Sequence, residues 1–133
     1  MQDVESRRKR LNELGLKILK ASISVHSEMG PGLLESVYQH CMVRELQSRG
    51  VSVGQTVAVP LSYKGESLNK DYVIDLLVEE EIIIELKSVD GLLPIHEAQL
   101  LSYLKLANKQ LGYLINFNVP LIKQGFRRFV NGF

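Results

Sequence analysis

Residues 82–89, IIIELKSV, are the stretch of this chain that leaves the fewest choices of fold. Isoleucine dominates its first half, and β-branched side chains favour β-strands over helices. A strand that is apolar on both faces is typical of the interior of a sheet that is covered on both sides. The sequence therefore predicts a β-sheet with residues 82–89 as a central strand.

Two acids interrupt the apolar pattern around this strand. Residues 68–78 form another predicted strand that contains Asp75, and the polar connection 79–81 leads from it to the strand with Glu85. If the two strands pair symmetrically about Glu80, Asp75 lies opposite Glu85. Directly opposed like charges destabilise a sheet, so the pair needs a counter-charge.

Two explanations of the pair remain open from the spacing alone. Both carboxylates could bind one divalent cation, and oxygen ligands suit Mg²⁺ or Mn²⁺ better than Zn²⁺. Alternatively, Lys87 could form a salt bridge with Asp75 or Glu85 at an edge of the sheet.

Side chains alternate between the two faces of a strand, which assigns the neighbours of these acids. On the first strand, one face carries Val73, Asp75 and Leu77, and the other carries Tyr72, Ile74 and Leu76. On the second strand, Ile83, Glu85 and Lys87 share one face. The alternation therefore predicts that Lys87 and Glu85 point to the same side.

The rest of the chain predicts an α/β fold. Apolar residues at three- and four-residue spacing indicate helices, and a spacing of two indicates strands. The predicted helices are 3–28, 33–49 and 95–107, and the predicted strands are 51–59, 68–78, 82–89, 111–117 and 125–130. We expect one central mixed β-sheet flanked by helices. A turn at residues 64–66 is predicted to join the first two strands.

A third acid lies at the start of the second predicted helix. Glu35 falls on the margin of the helix's apolar side rather than opposite it. It also occupies the first turn, where a carboxylate is stabilised by the helix dipole, and this is the structural alternative to a functional role. Glu45 lies inside the same apolar arc and is predicted to be a paired structural acid.

Composition limits the class of protein. The 133 residues, of which 45% are apolar and 23% are charged, predict one globular domain over residues 1–133. A net charge of +1 excludes a strongly basic domain that binds nucleic acid through its overall charge. Cys41 is the only cysteine, which excludes an internal disulfide and favours a cytoplasmic location. No apolar run approaches the roughly 20 residues of a membrane span.

Four short motifs follow one another along the chain. They are GLLESVY at residues 32–38, Asp75, the tripeptide Glu85-Leu86-Lys87, and Gln99 with Tyr103. The first matches the pattern that names the GxxExxY proteins, and the series resembles the PD-(D/E)XK nuclease superfamily, to which those proteins belong. The resemblance runs from about residue 26 to residue 128. Ile74 stands where the superfamily name has proline, a departure that leaves the acid intact.

The resemblance implies a restriction-endonuclease-like core and a metal site. Asp75 and Glu85 would be metal ligands, with the Leu86 carbonyl completing the set. Glu35 would add a ligand or a water-orienting acid. Lys87 would hold the attacking water or the phosphate, which would stabilise the charge that grows in the transition state.

Three further side chains are candidates for ordering the site or contacting substrate. Gln99 and Tyr103 lie four residues apart and therefore share one face of the predicted helix. The resemblance implies that this pair touches nucleic acid or orders the site, while core packing is the alternative for Tyr103. His26 is a further candidate, and its alternative is a role in packing or capping.

The function expected from these residues is that of a Mg²⁺-dependent or Mn²⁺-dependent nuclease acting on DNA or RNA. The alternative is a module that keeps the nuclease fold and contacts nucleic acid or protein without hydrolysis. The intact acids and Lys87 favour the nuclease, and the near-neutral net charge favours the module. Leu92 and Leu93, in a turn between elements, are a candidate contact surface for a homo-oligomer.

Overall fold

A five-stranded mixed sheet forms the centre of the molecule. The computed structural model describes residues 3–133. The helices are α1 (Val4–Met29), α2 (Glu35–Ser48) and α3 (Pro94–Leu106), and a short 3₁₀ turn spans Ile122–Gly125. The strands are β1 (Val53–Tyr63), β2 (Glu66–Val78), β3 (Ile82–Lys87), β4 (Leu111–Asn116) and β5 (Phe126–Val130). Within residues 3–133, no helix combines the length and the apolar character that a membrane crossing requires.

The strands lie in chain order, β1-β2-β3-β4-β5, so β3 is the central one, as predicted. Only β3 and β4 run parallel, because α3 connects them, and the other neighbours are antiparallel. The predicted order of helices and strands is confirmed, and so is the α/β class. The 3₁₀ turn before β5 was not predicted.

Two cores cover the two faces of the sheet. The larger core joins α1 and α2 to the sheet and contains, among others, Leu11, Ile18, Tyr38, Leu46, Ile82, Ile84 and Leu86. The smaller core joins α3 to the sheet and contains Tyr72, Ile74, Ile83, Leu100, Leu104 and Leu114. Alternate residues of β3 therefore enter opposite cores, as its apolar sequence requires.

The first helix follows its sequence pattern closely. The carboxylate of Asp3 accepts a hydrogen bond from the Ser6 backbone N–H at 2.7 Å, which caps the amino end. Gly30 ends the helix with a φ of 71°, a left-handed conformation that glycine adopts without strain. The residues at three- and four-residue spacing face the larger core.

The first strand is longer than predicted, because Pro60 does not end it. Pro60 pairs with Asp71, and the strand continues to Tyr63. A proline is tolerated here because β1 is an edge strand, where a missing N–H leaves no neighbouring strand unpaired. The predicted hairpin turn is present: Lys64 and Gly65 both have positive φ, as a type I′ hairpin turn requires.

The predicted faces of β2 are wrong near Asp75. Ile74 packs in the smaller core with α3, whereas Leu76 packs in the larger core with α1 and α2. Residues that are two positions apart on a regular strand share a face. The strand therefore changes faces at Asp75, which a strict period of two could not predict.

The two leucines that were predicted to form a contact surface differ in their exposure. Leu92 packs against the smaller core, while Leu93 is 57% exposed. Leu93 is therefore the more exposed of the two, and self-association stays a prediction.

Candidate active site

Asp75 and Glu85 lie directly beyond the last regular pair of β2 and β3, where hydrogen bonds to side chains replace those between backbones. The regular pairs are Leu76 with Ile84, Leu77 with Ile83, and Val78 with Ile82, which are symmetric about Glu80. Beyond them, the Asp75 backbone N–H donates to Glu85 Oε1 at 3.4 Å. The Leu86 backbone N–H donates to Asp75 Oδ2 at 2.9 Å. The two acids are therefore opposed, as the symmetric connection predicted.

The Leu86 backbone faces Asp75. Its N–H, which a regular ladder would pair with a carbonyl of β2, bonds instead to the carboxylate of Asp75. The N–H and C=O of one strand residue point toward the same neighbouring strand. We therefore expect the Leu86 carbonyl to lie on the same side as the Asp75 carboxylate.

Glu85 is held in an environment that disfavours its charge. Its side chain is in the central strand and the residue is only 8% exposed. The pKa of the Glu85 carboxyl is raised to about 8, chiefly by burial and then by the charge of Asp75, and Lys87 opposes this increase more weakly. None of the ion pairs among residues 3–133 includes any of these three residues. The salt bridge that Lys87 could form with Asp75 or Glu85 is therefore absent from the described structure.

Tyr103 stands beside this pair of acids. Its ring stacks on that of Tyr72 with centroids 4.2 Å apart, and the Tyr72 hydroxyl donates to the Tyr103 carbonyl at 2.9 Å. Burial raises the pKa of Tyr103, and the charges of Glu85 and then Asp75 add to the effect. Burial likewise raises the pKa of Tyr72 to about 12, with contributions from Tyr103 and Glu85. Tyr103 therefore packs on Tyr72 while its hydroxyl feels the charges of both acids, so core packing and a role in ordering the site are compatible.

Sequence reasoning missed Tyr72. The sequence pattern places Tyr72 only on a strand face, and an aromatic residue in a strand is too common to indicate a site. Its position three residues before Asp75 becomes informative only once the stacking on Tyr103 is known.

Gln99 and His26 are not joined to the acids by any described contact. Gln99 is exposed on α3, one turn before Tyr103. The His26 ring bonds to the Val119 carbonyl at 2.8 Å and lies 6.5 Å from the Phe117 ring. The surroundings of His26 are therefore those of a packing residue at the end of α1.

Glu35 lies exposed at the first position of α2. The loop before it is fixed by Tyr38, whose hydroxyl donates to the Gly30 carbonyl at 2.6 Å and accepts from the Leu33 N–H at 3.1 Å. The Ser88 hydroxyl also donates to the Leu33 carbonyl, which ties this loop to the end of β3. Glu35 consequently borders an open pocket whose lining also includes Ser88.

Asp75, Glu85 and Glu35 do not lie together as one metal-binding group in the structure. Within the described part of the chain, no group of three or more His, Cys, Asp or Glu side chains is placed to hold a metal ion. Asp75 and Glu85 are together, and Glu35 stands apart from them. Glu45 is a structural acid as predicted, since it pairs with Arg49 at 2.9 Å.

Asn116 is a second residue that sequence reasoning missed. It is 1% exposed and pairs with Lys87 across the parallel strands. Its side-chain amide accepts from the Val89 N–H at 3.1 Å and donates to the Val89 carbonyl at 2.9 Å. This fixes the chain directly after Lys87. The signal in the sequence was a polar residue at the end of the apolar run 111–117.

Comparison with known proteins gives one match. The sequence profile of the PD-(D/E)XK nuclease superfamily matches residues 12–129. Neither a search of curated proteins nor a search of solved structures found a similar protein. The matched range contains Asp75, Glu85 and Lys87 and covers most of the 133 residues. The chain therefore belongs to the PD-(D/E)XK nuclease superfamily.

Proposed function

We propose that this protein is a Mg²⁺-dependent nuclease that hydrolyses phosphodiester bonds of DNA or RNA. The observation that carries the proposal is the opposed pair Asp75 and Glu85. One of the two is buried with its pKa raised to about 8, and neither has a basic partner in the described structure. A site of this kind favours the binding of an added positive charge.

The donor atoms fit Mg²⁺ or Mn²⁺. Two carboxylates and the Leu86 carbonyl are hard oxygen ligands, which these ions prefer over nitrogen and sulfur. Such an ion, when bound, polarises a phosphoryl group and lowers the pKa of a water molecule. We assign the ion to Asp75, Glu85 and Leu86, and we give Glu35 the role of orienting water or substrate at the rim of the site.

Lys87 is the residue to which we assign the stabilisation of negative charge. It follows Leu86 at the end of β3 on the Glu85 face, and it is half-buried. Asn116 pairs with it across the sheet and fixes the residues that follow it. A positioned ammonium group can hold the phosphate or the attacking water and stabilise charge that develops in the transition state.

Tyr103 and Gln99 are assigned to ordering the site and contacting nucleic acid. The stacking of Tyr103 on Tyr72, next to Glu85, supports the ordering role. Gln99 is exposed on the same helix, so it is free to meet a strand of nucleic acid that approaches Tyr103.

The narrower classification is also a proposal. We place the chain among the GxxExxY proteins on residues 32–38, and the hydrogen bonds of Tyr38 to the loop before Glu35 support this. We also propose that residues 1–133 act as one domain, since one sheet carries both cores. The cytoplasmic location stays a prediction.

Replacement of Lys87 tests the catalytic assignment. Lys87→Ala leaves the proposed ligands in place, so we expect Mg²⁺ binding to persist while cleavage falls by two or more orders of magnitude, about 3 kcal/mol or more in activation free energy. Calorimetry measures Mg²⁺ binding, and gels measure cleavage of single- and double-stranded DNA and RNA.

Lys17→Ala is the matched control, since Lys17 is an exposed lysine on α1. It should cleave like the wild type. A wild type that binds Mg²⁺ but cleaves none of the substrates would favour the non-catalytic binding module instead. Equal cleavage by Lys87→Ala and the wild type would remove Lys87 from the mechanism.

A further inference from the structure

The strands β1 and β2 are distorted together at one position. The residues on either side of Thr56 pair regularly with those on either side of Asp75, but these two do not pair with each other. Thr56 has a φ of 53°, in the left-handed region that a β-branched residue rarely adopts. Ile74 and Leu76, which flank Asp75, pack in opposite cores. The distortion is therefore the point at which β2 changes faces.

At the distortion, the backbone carbonyl of Asp75 accepts a hydrogen bond from a side chain outside the sheet. Gln39, on α2 and half-buried, is the donor: its side-chain amide nitrogen donates to the Asp75 carbonyl at 3.2 Å. The same nitrogen lies 3.3 Å from Thr56 Oγ1 and can donate to it as well. One side chain from α2 thus contacts both residues of the distorted position.

The distortion also sets the direction of the Asp75 side chain. The Asp75 carboxylate accepts the Leu86 N–H of β3, where a regular ladder would place a backbone carbonyl of β2. The Asp75 N–H in turn reaches the Glu85 carboxylate. The two acids face one another because β2 is turned at this residue.

We propose that Gln39 is a positioning residue for Asp75: by bonding the Asp75 carbonyl, it holds the turned backbone that aims the Asp75 carboxylate at Leu86 and Glu85. Its importance for catalysis rests on the nuclease function proposed above. The positioning itself is a property of the metal-free protein and can be measured without activity.

Hydrogen exchange of the Leu86 amide reports the position of the Asp75 carboxylate directly. In Gln39→Leu, which keeps the size of the side chain and removes the donor, we expect Leu86 to exchange about fivefold faster or more relative to Ile84. Ile84 is the internal reference, because it pairs with Leu76 in the regular ladder. General destabilisation would accelerate both amides, so the ratio separates positioning from stability. The measurement is NMR-detected exchange in EDTA.

Gln47→Leu is the matched control, since Gln47 is an exposed glutamine on the same helix. It should leave the ratio of Leu86 to Ile84 unchanged. Gln39→Ala provides a second variant if Gln39→Leu does not fold. An unchanged ratio in a folded Gln39 variant would overturn the proposal.

Mg²⁺ affinity extends the test to the site. Loss of a residue that orients a ligand typically weakens metal binding by about tenfold or more, and we expect this for Gln39→Leu. A wild type that binds no Mg²⁺ would contradict the nuclease function, and the exchange ratio would still decide the role of Gln39. Wild-type affinity in a Gln39 variant would overturn the positioning role.

Discussion

Glu85 makes the stability of the metal-free protein depend on pH. Its pKa is raised from 4.5 to about 8, chiefly by burial, so the folded protein keeps a proton that the unfolded chain has lost. The free energy of unfolding should therefore fall as pH rises from about 4.5 to about 8, and then level off. Since one pKa unit corresponds to about 1.4 kcal/mol, the fall is on the order of a few kcal/mol.

Urea unfolding in EDTA between pH 5 and pH 9 would measure this, at pH values chosen to span the window. Glu85→Gln cannot ionise, so its stability should lack this decline. A wild type and a Glu85→Gln variant with the same pH profile would show that Glu85 is not the group responsible.

Asp75 has two roles that different substitutions separate. Its charge raises the pKa of Glu85, and its Oδ2 accepts the Leu86 N–H. Asp75→Asn removes the charge and keeps an acceptor, so in EDTA at pH 9 it should unfold at a higher temperature than the wild type. Asp75→Ala also leaves the Leu86 N–H without an acceptor, which costs about 1–3 kcal/mol and offsets the gain.

Calorimetric melting of the two variants beside the wild type would test this order of stability. The order Asp75→Asn above Asp75→Ala is the expected result. An Asp75→Ala variant that is as stable as Asp75→Asn would mean that the bond to Leu86 contributes little.

The packing of α1 on the sheet depends on a glycine. A Cβ atom on Gly15 would lie 2.1 Å from the Tyr113 hydroxyl of β4 and 3.1 Å from the ring carbon that bears it. Alanine favours helix over glycine by about 1 kcal/mol, but overpacking a core costs about 1–3 kcal/mol. Gly15→Ala should therefore destabilise the protein in urea unfolding.

Tyr113→Phe removes the closest atom, so the double variant should recover part of the loss. Non-additivity of this kind is expected for residues in contact. A stabilising Gly15→Ala would contradict the close approach of α1 to β4.

The regular elements follow from local patterns, and for that reason the sequence predicts them well. Helix spacing, the β-branched run at residues 82–89 and the connection at residues 79–81 each act over a few residues. The register that places Asp75 opposite Glu85 follows from that connection, whereas the direction of the Asp75 side chain does not. Helix and strand limits differ by a few residues because the ends depend on capping and pairing.

What the sequence could not predict depends on contacts between distant elements. The change of faces at Asp75 occurs together with a left-handed Thr56 and a hydrogen bond from the Gln39 amide, and neither leaves a pattern along the chain. The extension of β1 through Pro60 depends on its being an edge strand. Glu35 lies within the motif at residues 32–38 and His26 precedes it, but tertiary contacts decide the position of both residues relative to Asp75 and Glu85.

The molecule as a whole has little charge to attract nucleic acid. Its net charge is +1, and several of the four consecutive basic residues at positions 7–10 of α1 already have partners. Arg7 and Arg10 pair with Glu81, and Arg8 donates to the Phe133 carbonyl at 2.6 Å. Attraction of a phosphate backbone would therefore depend on local groups, with the proposed ion and Lys87 foremost among them.

Titration of the protein with Mg²⁺ by calorimetry, at several pH values and in buffers of different ionisation enthalpy, tests the proposed site most directly. We expect saturable binding at one site, with an affinity that rises between about pH 6 and pH 9 and with release of a proton, since Glu85 must ionise to bind the ion. Asp75→Asn should lose this binding. A wild type that shows no saturable binding at millimolar Mg²⁺, or an Asp75→Asn variant that binds equally well, would contradict the assignment of these acids.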